Sequence, residues 1–329
     1  MPNPRRNRLK AAFGVLASVA IAGLAFYVLY RTFQRISVAD VVRLMREMPA
    51  LVLLTAAMCA AGSFLVLALY EIAVVRYVKK PLGRFKPMAT ALIAFPLGHA
   101  IGQAMLSGGA LRYRMYTPAG FSAMEVGATV LLCNLPYALA FGLLLDLSLV
   151  FGAERLAPVF RVGAPLLLML GCLGLAKDVG YLLLVKLRKA PVKLGGWAVN
   201  LPTPAMTALQ YIVGLADLTL VSSIMYMLLP QSANIGYLPF LTVYLASVLA
   251  GVLSHVPAGL GVLESMLLLL LPDVPPDELL AAVVMYRVIY EILPLLGALA
   301  MWGVYEFVAH DGGMKLFRNG RARPPDAGG

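Results

Sequence analysis

The sequence predicts an all-α integral membrane protein: a polytopic helical bundle with about six full spans and two oppositely oriented re-entrant helical hairpins, eight full spans being the alternative. Three observations predict it. Of 329 residues, 61% are hydrophobic and 13% charged, with a mean hydropathy of +0.84. A soluble domain of this size does not cover that much apolar surface. Apolar runs long enough to cross ~30 Å of hydrocarbon, about 20 residues each, recur along the chain. The basic residues gather between those runs, where Lys and Arg mark the cytoplasmic side.

The elements follow in order. RRNRLK precedes an apolar run over 11–30 that imitates a secretory signal. The run is too long for an ordinary signal core and no small-x-small cleavage site follows, so it reads as a retained first span. SVADVVRLMREM reads as a short amphipathic helix at the interface. Further apolar segments cover 51–75, 88–106, 123–150, 162–185, 203–229, 237–253 with 262–272, and 279–308. Residues 1–310 form one membrane domain, and 311–329 a basic, then Pro/Gly-rich, cytoplasmic tail expected to be disordered.

Charge decides between topologies. Four basic segments stand out: RRNRLK, RYVKKPLGRFK (76–86), KLRKAPVK (186–193) and KLFRNGRAR (315–323). If every apolar segment crossed, 186–193 would lie outside, against the positive-inside rule. If 88–122 and 237–272 each dip in and return, entering from opposite faces, all four become cytoplasmic, with both termini. Opposed hairpins meeting near the midplane resemble the broken helices of secondary transporters. Each hairpin precedes a long helix carrying a proline, Pro136 or Pro294. The net charge of +11 then points to anionic lipid headgroups rather than nucleic acid. Cys59, Cys133 and Cys172 fall in apolar stretches without metal-ligand spacing and read as buried free thiols.

The chemistry-bearing residues sit at the interruptions. In LSGGALRYRMYTPAGFSAMEV (106–126), Ser107, Gly108 and Gly109 are expected to free the backbone for a tight turn whose amides face an anion. Arg112 and Arg114, with Tyr113 and Tyr116, suit a phosphodiester headgroup; they equally suit arginines facing water or anionic lipid. In LSHVPAGLGVLE (253–264), Pro257, Gly259 and Gly261 break the helix, and Ser254, His255 and Glu264 supply polar groups. Glu264 also suits the N-terminus of the next helix, whose dipole favours a carboxylate. In YRVIYEILP, Arg287 and Glu291 are four apart on one helix face, placed to pair or to face a cavity together. Asp146, Asp217 and the adjacent Lys177 and Asp178 are embedded too; pairing among helices is the plainer reading for all of them and is favoured for Lys177 and Asp178. An embedded Asp, Lys or Arg costs roughly 2.5–3.5 kcal/mol on insertion scales, so each needs a partner or a purpose. No nucleophile–base–acid set, phosphate loop or HExxH zinc motif appears, so the chain reads as a non-enzyme without cofactor or metal.

LSGGALRYRMY with GFSAMEV, then LSHVPAGLGVLE, then MYRVIYEILPLL resemble, in order and spacing over about residues 10–310, the transmembrane flippase domain of lysylphosphatidylglycerol synthases, the multiple peptide resistance factors. Ser107, Gly108, Gly109, Arg112, Tyr113 and Arg114 match one family motif; Ser254, His255, Pro257, Gly259, Gly261 and Glu264 match another. Ala258 stands where the family has a glycine, and Leu263 where it has phenylalanine; alanine resists positive φ, so the turn is expected to differ slightly. The resemblance implies translocation of an aminoacylated or other phosphatidylglycerol-type lipid across the bacterial cytoplasmic membrane, with resistance to cationic antimicrobial peptides as the outcome. It implies the transport half alone, with any aminoacyl-lipid synthase encoded separately. Two other readings carry over as expectations to be tested: a scaffold or accessory subunit that binds anionic lipid, and an embedded enzyme using His255 and Glu264 as acid and base. Small-residue runs such as AAG and GLGV suit packing within one chain or between chains, leaving an oligomer open.

Overall fold

The computed structural model describes residues 38–78, 82–101, 104–187, 192–194, 197–199 and 202–310. The expected first span over 11–30, the RRNRLK segment, parts of the basic segments 76–86 and 186–193, and the tail over 311–329 lie outside the described residues.

A short amphipathic helix, α1 (Val38–Glu47), opens the described chain with Asp40 in its first turn and Arg46 in its last, the charge order that the helix dipole favours. Its Val41 packs on Leu280 and Ala281. The first described crossing is α2 (Ala50–Tyr77); its 28 residues rise roughly 42 Å at 1.5 Å each, beyond the hydrocarbon thickness. Next comes the first hairpin, α3 (Phe85–Ile101) and α4 (Ala104–Tyr116). Gly120, at φ 86°, turns the chain into α5 (Ala123–Phe160), which Ser122 and Glu125 start with a reciprocal capping box. After Arg161, in the left-handed region, α6 (Ala164–Leu187) recrosses. A two-stranded antiparallel hairpin, β1 (Val192–Leu194) and β2 (Trp197–Val199), follows in the chain. Sequence reading did not find it, because strand pairs this short leave no apolar period; the class remains all-α.

Thr203 caps α7 (Pro204–Leu228), with Pro204 at the first helical position where its missing N–H costs nothing. The second hairpin is α8 (Tyr237–Ser254), a turn, and α9 (Val262–Leu270). The last crossing is built from α10 (Pro276–Arg287), a π turn over Val288–Ile292, and α11 (Leu293–His310). Among the described residues six stretches are long and apolar enough to cross a membrane, Tyr237–Ser254 among them.

Both hairpins return to the face they left. At the first, Tyr116, Phe121 and Val126 cluster with Val75, and Leu82 packs against them, so its exit lies beside its entry. At the second, Ser232, just before α8, donates to Glu278, just after α9, at 2.6 Å. Three crossings (α5, α6 and α7) separate the two bases, so the hairpins enter from opposite faces, as charge predicts. The second lies on the same face as α1, which the Val41–Leu280 packing shows independently. The Pro257–Gly259 turn of the second hairpin touches α3 of the first.

Close helix approaches fix this frame. Pro136 within α5 cannot bond back to the carbonyl of Leu132, and the Tyr70 hydroxyl donates to that oxygen instead at 2.9 Å. Gly214 of α7 lies so near that a Cβ there would sit 2.1 Å from the Pro136 oxygen. The cysteines correct the expectation of buried thiols. Cys133 is buried, but Cys59 is half-buried and Cys172 exposed. A lipid-facing helix surface is apolar as well, so composition does not separate it from a core.

Candidate functional site

The hairpins bring two charged clusters into the bundle. In the first, Arg112 of α4 donates from Nε and Nη2 to the two Glu71 oxygens at 2.9 and 2.7 Å. Tyr116 donates to the same carboxylate at 2.9 Å, and the guanidinium lies 4.7 Å from the Phe95 ring centre. Arg112 is 1% exposed and Glu71 0%. The planar fork is therefore spent on a carboxylate inside the protein, not on an open phosphate-sized space. Sequence reading missed Glu71, although one signal was there: it is the single acid in the apolar run of α2.

Ser107, Gly108 and Gly109 correct the expected turn. All three lie within α4, so their backbone is helical and not a nest of free amides. Gly108 instead lets α4 press on α3; a Cβ there would meet the Ala94 oxygen at 3.3 Å and Arg112 Nη1 at 3.1 Å. Inside hydrocarbon, a small residue in a helix keeps its backbone bonds satisfied and admits a neighbour, which a glycine-rich loop does not. Tyr113 is half-exposed and Arg114 reaches outward, binding Glu306 of α11 through two hydrogen bonds of 2.7 and 2.8 Å beside Trp302.

The second cluster lies at the tip of the second hairpin. Ser254 donates to the Gly251 oxygen at 2.7 Å and accepts from Val256 N–H, closing the end of α8. His255 follows with φ 56°; its ring nitrogen Nδ1 is 2.9 Å from the Leu253 oxygen and its side chain is exposed. Ala258 (φ 52°), Gly259 (φ 59°) and Gly261 (φ 81°) complete the turn begun at Pro257. Ala258 thus adopts the left-handed geometry that alanine resists, at roughly 1–2 kcal/mol.

Arg287 holds this turn to the last span. It donates to Glu264 through Nε at 2.5 Å, to both Glu291 oxygens at 3.0 and 2.8 Å, and to the carbonyls of Ala258 and Gly259 at 3.2 and 3.4 Å. Glu264, Arg287 and Glu291, separate in the sequence, are thereby brought together, and the π turn starting at Val288 shapes the step from Arg287 to Glu291. Glu264 Oε2 is buried and has no hydrogen-bond partner. One arginine between two carboxylates leaves a surplus negative charge beside a buried, unpaired oxygen, an arrangement that favours a cationic guest.

Of the other embedded charges, Lys177, Asp146 and Asp178 pair, and among the described residues Asp217 forms no ion pair. Lys177 bonds Asp146 at 3.2 Å and Asp178 at 3.5 Å. Asp217 accepts from Ser63. Among the described residues no group of three His, Cys, Asp or Glu side chains is placed to hold a metal ion. A groove of about 450 Å³ runs between α5, α6 and the second hairpin, lined by Leu145, Leu149, Leu167, Leu253, Val262 and Ser265 among others. Its lining comes from both arms of the second hairpin, so the apolar groove runs along that hairpin, and Glu264, Arg287 and Glu291 are not part of its wall.

The chain is 31% identical over 251 residues to slr0712, an uncharacterized protein of Synechocystis sp., across 75% of this chain and 77% of that one. It is 27% identical over 292 residues to the inner membrane protein YbhN of Escherichia coli, across 87% and 89% of the two chains. No family model matches the chain.

Proposed function

The chain belongs to the same family as Synechocystis slr0712, and from that premise we propose that it is a multi-pass inner membrane protein that moves phospholipid between leaflets. One observation carries the proposal: hairpins entering from opposite faces touch inside the bundle at a charged cluster, and an apolar groove runs along the second of them. A phospholipid needs those two environments together, a polar station for its headgroup and an apolar surface for its chains. The inner-membrane setting is supported by YbhN, whose name gives that location.

Glu264, Arg287 and Glu291 form the headgroup station. Their surplus negative charge suits a headgroup bearing an ammonium, as an aminoacylated phosphatidylglycerol does, while Arg287 holds the two carboxylates and the hairpin turn in place. Arg112 positions α4 through Glu71 and does not grip lipid. The base of the first hairpin faces the cytoplasm, following the basic segments at 76–86 and 186–193.

A leaflet-resolved assay in proteoliposomes tests the reading. Fluorescent phospholipid trapped in the inner leaflet is expected to become accessible to a membrane-impermeant quencher when the protein is present. Accessibility no greater than in protein-free liposomes, for anionic and aminoacylated lipid alike, would contradict translocation and favour a scaffold that only binds lipid. The tight internal pairing of Arg112 and Arg114 is what that second reading has in its favour.

A further inference from the structure

Five embedded carboxylates have a basic partner. Glu71 has Arg112, Asp146 and Asp178 share Lys177, and Glu264 and Glu291 share Arg287. Asp217 is the exception among the described residues. It lies near the middle of α7, 5% exposed, and forms no ion pair; its hydrogen-bond partner is the hydroxyl of Ser63, near the middle of α2. The other groups facing it are the phenols of Tyr137 on α5 and Tyr290 in the π turn. No Lys, Arg or His stands among these neighbours.

A lone ionised carboxylate in hydrocarbon costs too much to persist unpaired, and binding a proton removes that cost. Ser63 suits both states, since a hydroxyl donates to a carboxylate and accepts from a carboxylic acid. The surroundings also give the site a path to the moving parts. Tyr290 stacks on Phe64, next to Ser63, and on Tyr286, whose hydroxyl is 2.9 Å from that of Tyr244. Tyr290 is the neighbour of Glu291, which Arg287 ties to the hairpin tip.

We propose that Asp217 is a proton-binding site inside the membrane, taking a proton from one face and releasing it to the other as lipid moves. The coupling half of this proposal rests on the translocation reading above; the protonation half does not. In the binding step water delivers a proton to the carboxylate, giving the neutral acid, and the reverse step returns it; no bond other than O–H changes. A metal cation is the competing occupant of a carboxylate and a hydroxyl, and the experiment separates the two.

Infrared difference spectra of the full chain in proteoliposomes, stepped in pH, read the carbonyl stretch of a protonated carboxylic acid directly. Wild type is expected to gain that band as pH falls, and Asp217→Asn to lack it while keeping the wild-type melting temperature. Ser63→Ala is expected to keep the band but move its midpoint. The same vesicles, given a pH gradient, are expected to move lipid several-fold faster than without one, and Asp217→Asn is expected to lose that acceleration. Absence of a band assignable to Asp217, or its suppression by Na⁺ at constant pH, would overturn proton binding. A band with lipid movement indifferent to the gradient would overturn coupling. A band with no lipid movement at all would overturn translocation and leave the proton site standing.

Discussion

Removing Arg112 tests the assignment of this residue to architecture and not to substrate. Arg112→Met keeps much of the side-chain length but deletes the fork, leaving the Glu71 carboxylate, 0% exposed, with a single donor in Tyr116. Breaking a buried pair by removing one partner costs about 3–5 kcal/mol, because the other charge stays uncompensated. At an effective dielectric near 20, two unit charges about 4 Å apart attract by about 4 kcal/mol, which agrees. Both carboxylate oxygens are engaged here, so the upper half of that range is expected, a fall in melting temperature on the order of 10 °C. Glu71→Gln/Arg112→Met should recover most of the loss, since the glutamine carbonyl still accepts from Tyr116 and no charge is buried. The assay is thermal unfolding of the purified protein in detergent for wild type, both single variants and the double. A coupling of at least about 2 kcal/mol is expected from the cycle. If Arg112→Met melts with wild type, or the two changes simply add, the pair does not hold the hairpin. An arginine kept for a phosphate would give that pattern, with stability intact and transport lost.

Other expectations rest on single contacts. Gly214→Ala forces α5 and α7 apart, because its Cβ would meet the backbone oxygen of Pro136; a loss of about 1–3 kcal/mol is expected in the same melts. At position 258 the left-handed backbone orders the variants. Ala258→Val adds a β-branch to a penalty alanine already bears and should lower the melting temperature, and Ala258→Gly should raise it slightly, the relief being partly offset by the flexibility glycine adds to the unfolded chain. Arg114→Ala removes an exposed ion pair with Glu306 and is expected to leave the melting temperature unchanged. A marked drop would mean that the exit of the first hairpin depends on that pair.

Among the described residues the spans and the opposed hairpins were legible in the sequence, because the bilayer imposes a length on apolar runs and the basic residues mark their ends. The turn at 255–261 was legible as well, since proline and glycine interrupt an apolar run there and each has a steric reason to do so. The SGG of the first hairpin was not. The same residue type serves as a turn or as a flat helix surface, and only the approach of α3 distinguishes them at Gly108. Nor did the sequence assign partners. Arg112 and Glu71 lie 41 positions apart, Arg287 and Glu264 lie 23 apart, and no local spacing links either pair. Arg287 and Glu291 were found because four residues is a helical neighbour distance. Asp217 was visible as an embedded acid, but its want of a cation is a property of the packed bundle.

Lipid translocation by this protein is tested most directly by leaflet-resolved movement of aminoacylated phosphatidylglycerol in proteoliposomes, with wild type and Arg287→Lys side by side. Lysine keeps the charge but cannot reach Glu264, Glu291 and the Ala258 and Gly259 carbonyls together. Wild type is expected to move the lipid well above the protein-free rate, and Arg287→Lys, still folded, at least tenfold more slowly. Equal rates for the two proteins, or a wild-type rate no greater than that of empty liposomes, would contradict that expectation.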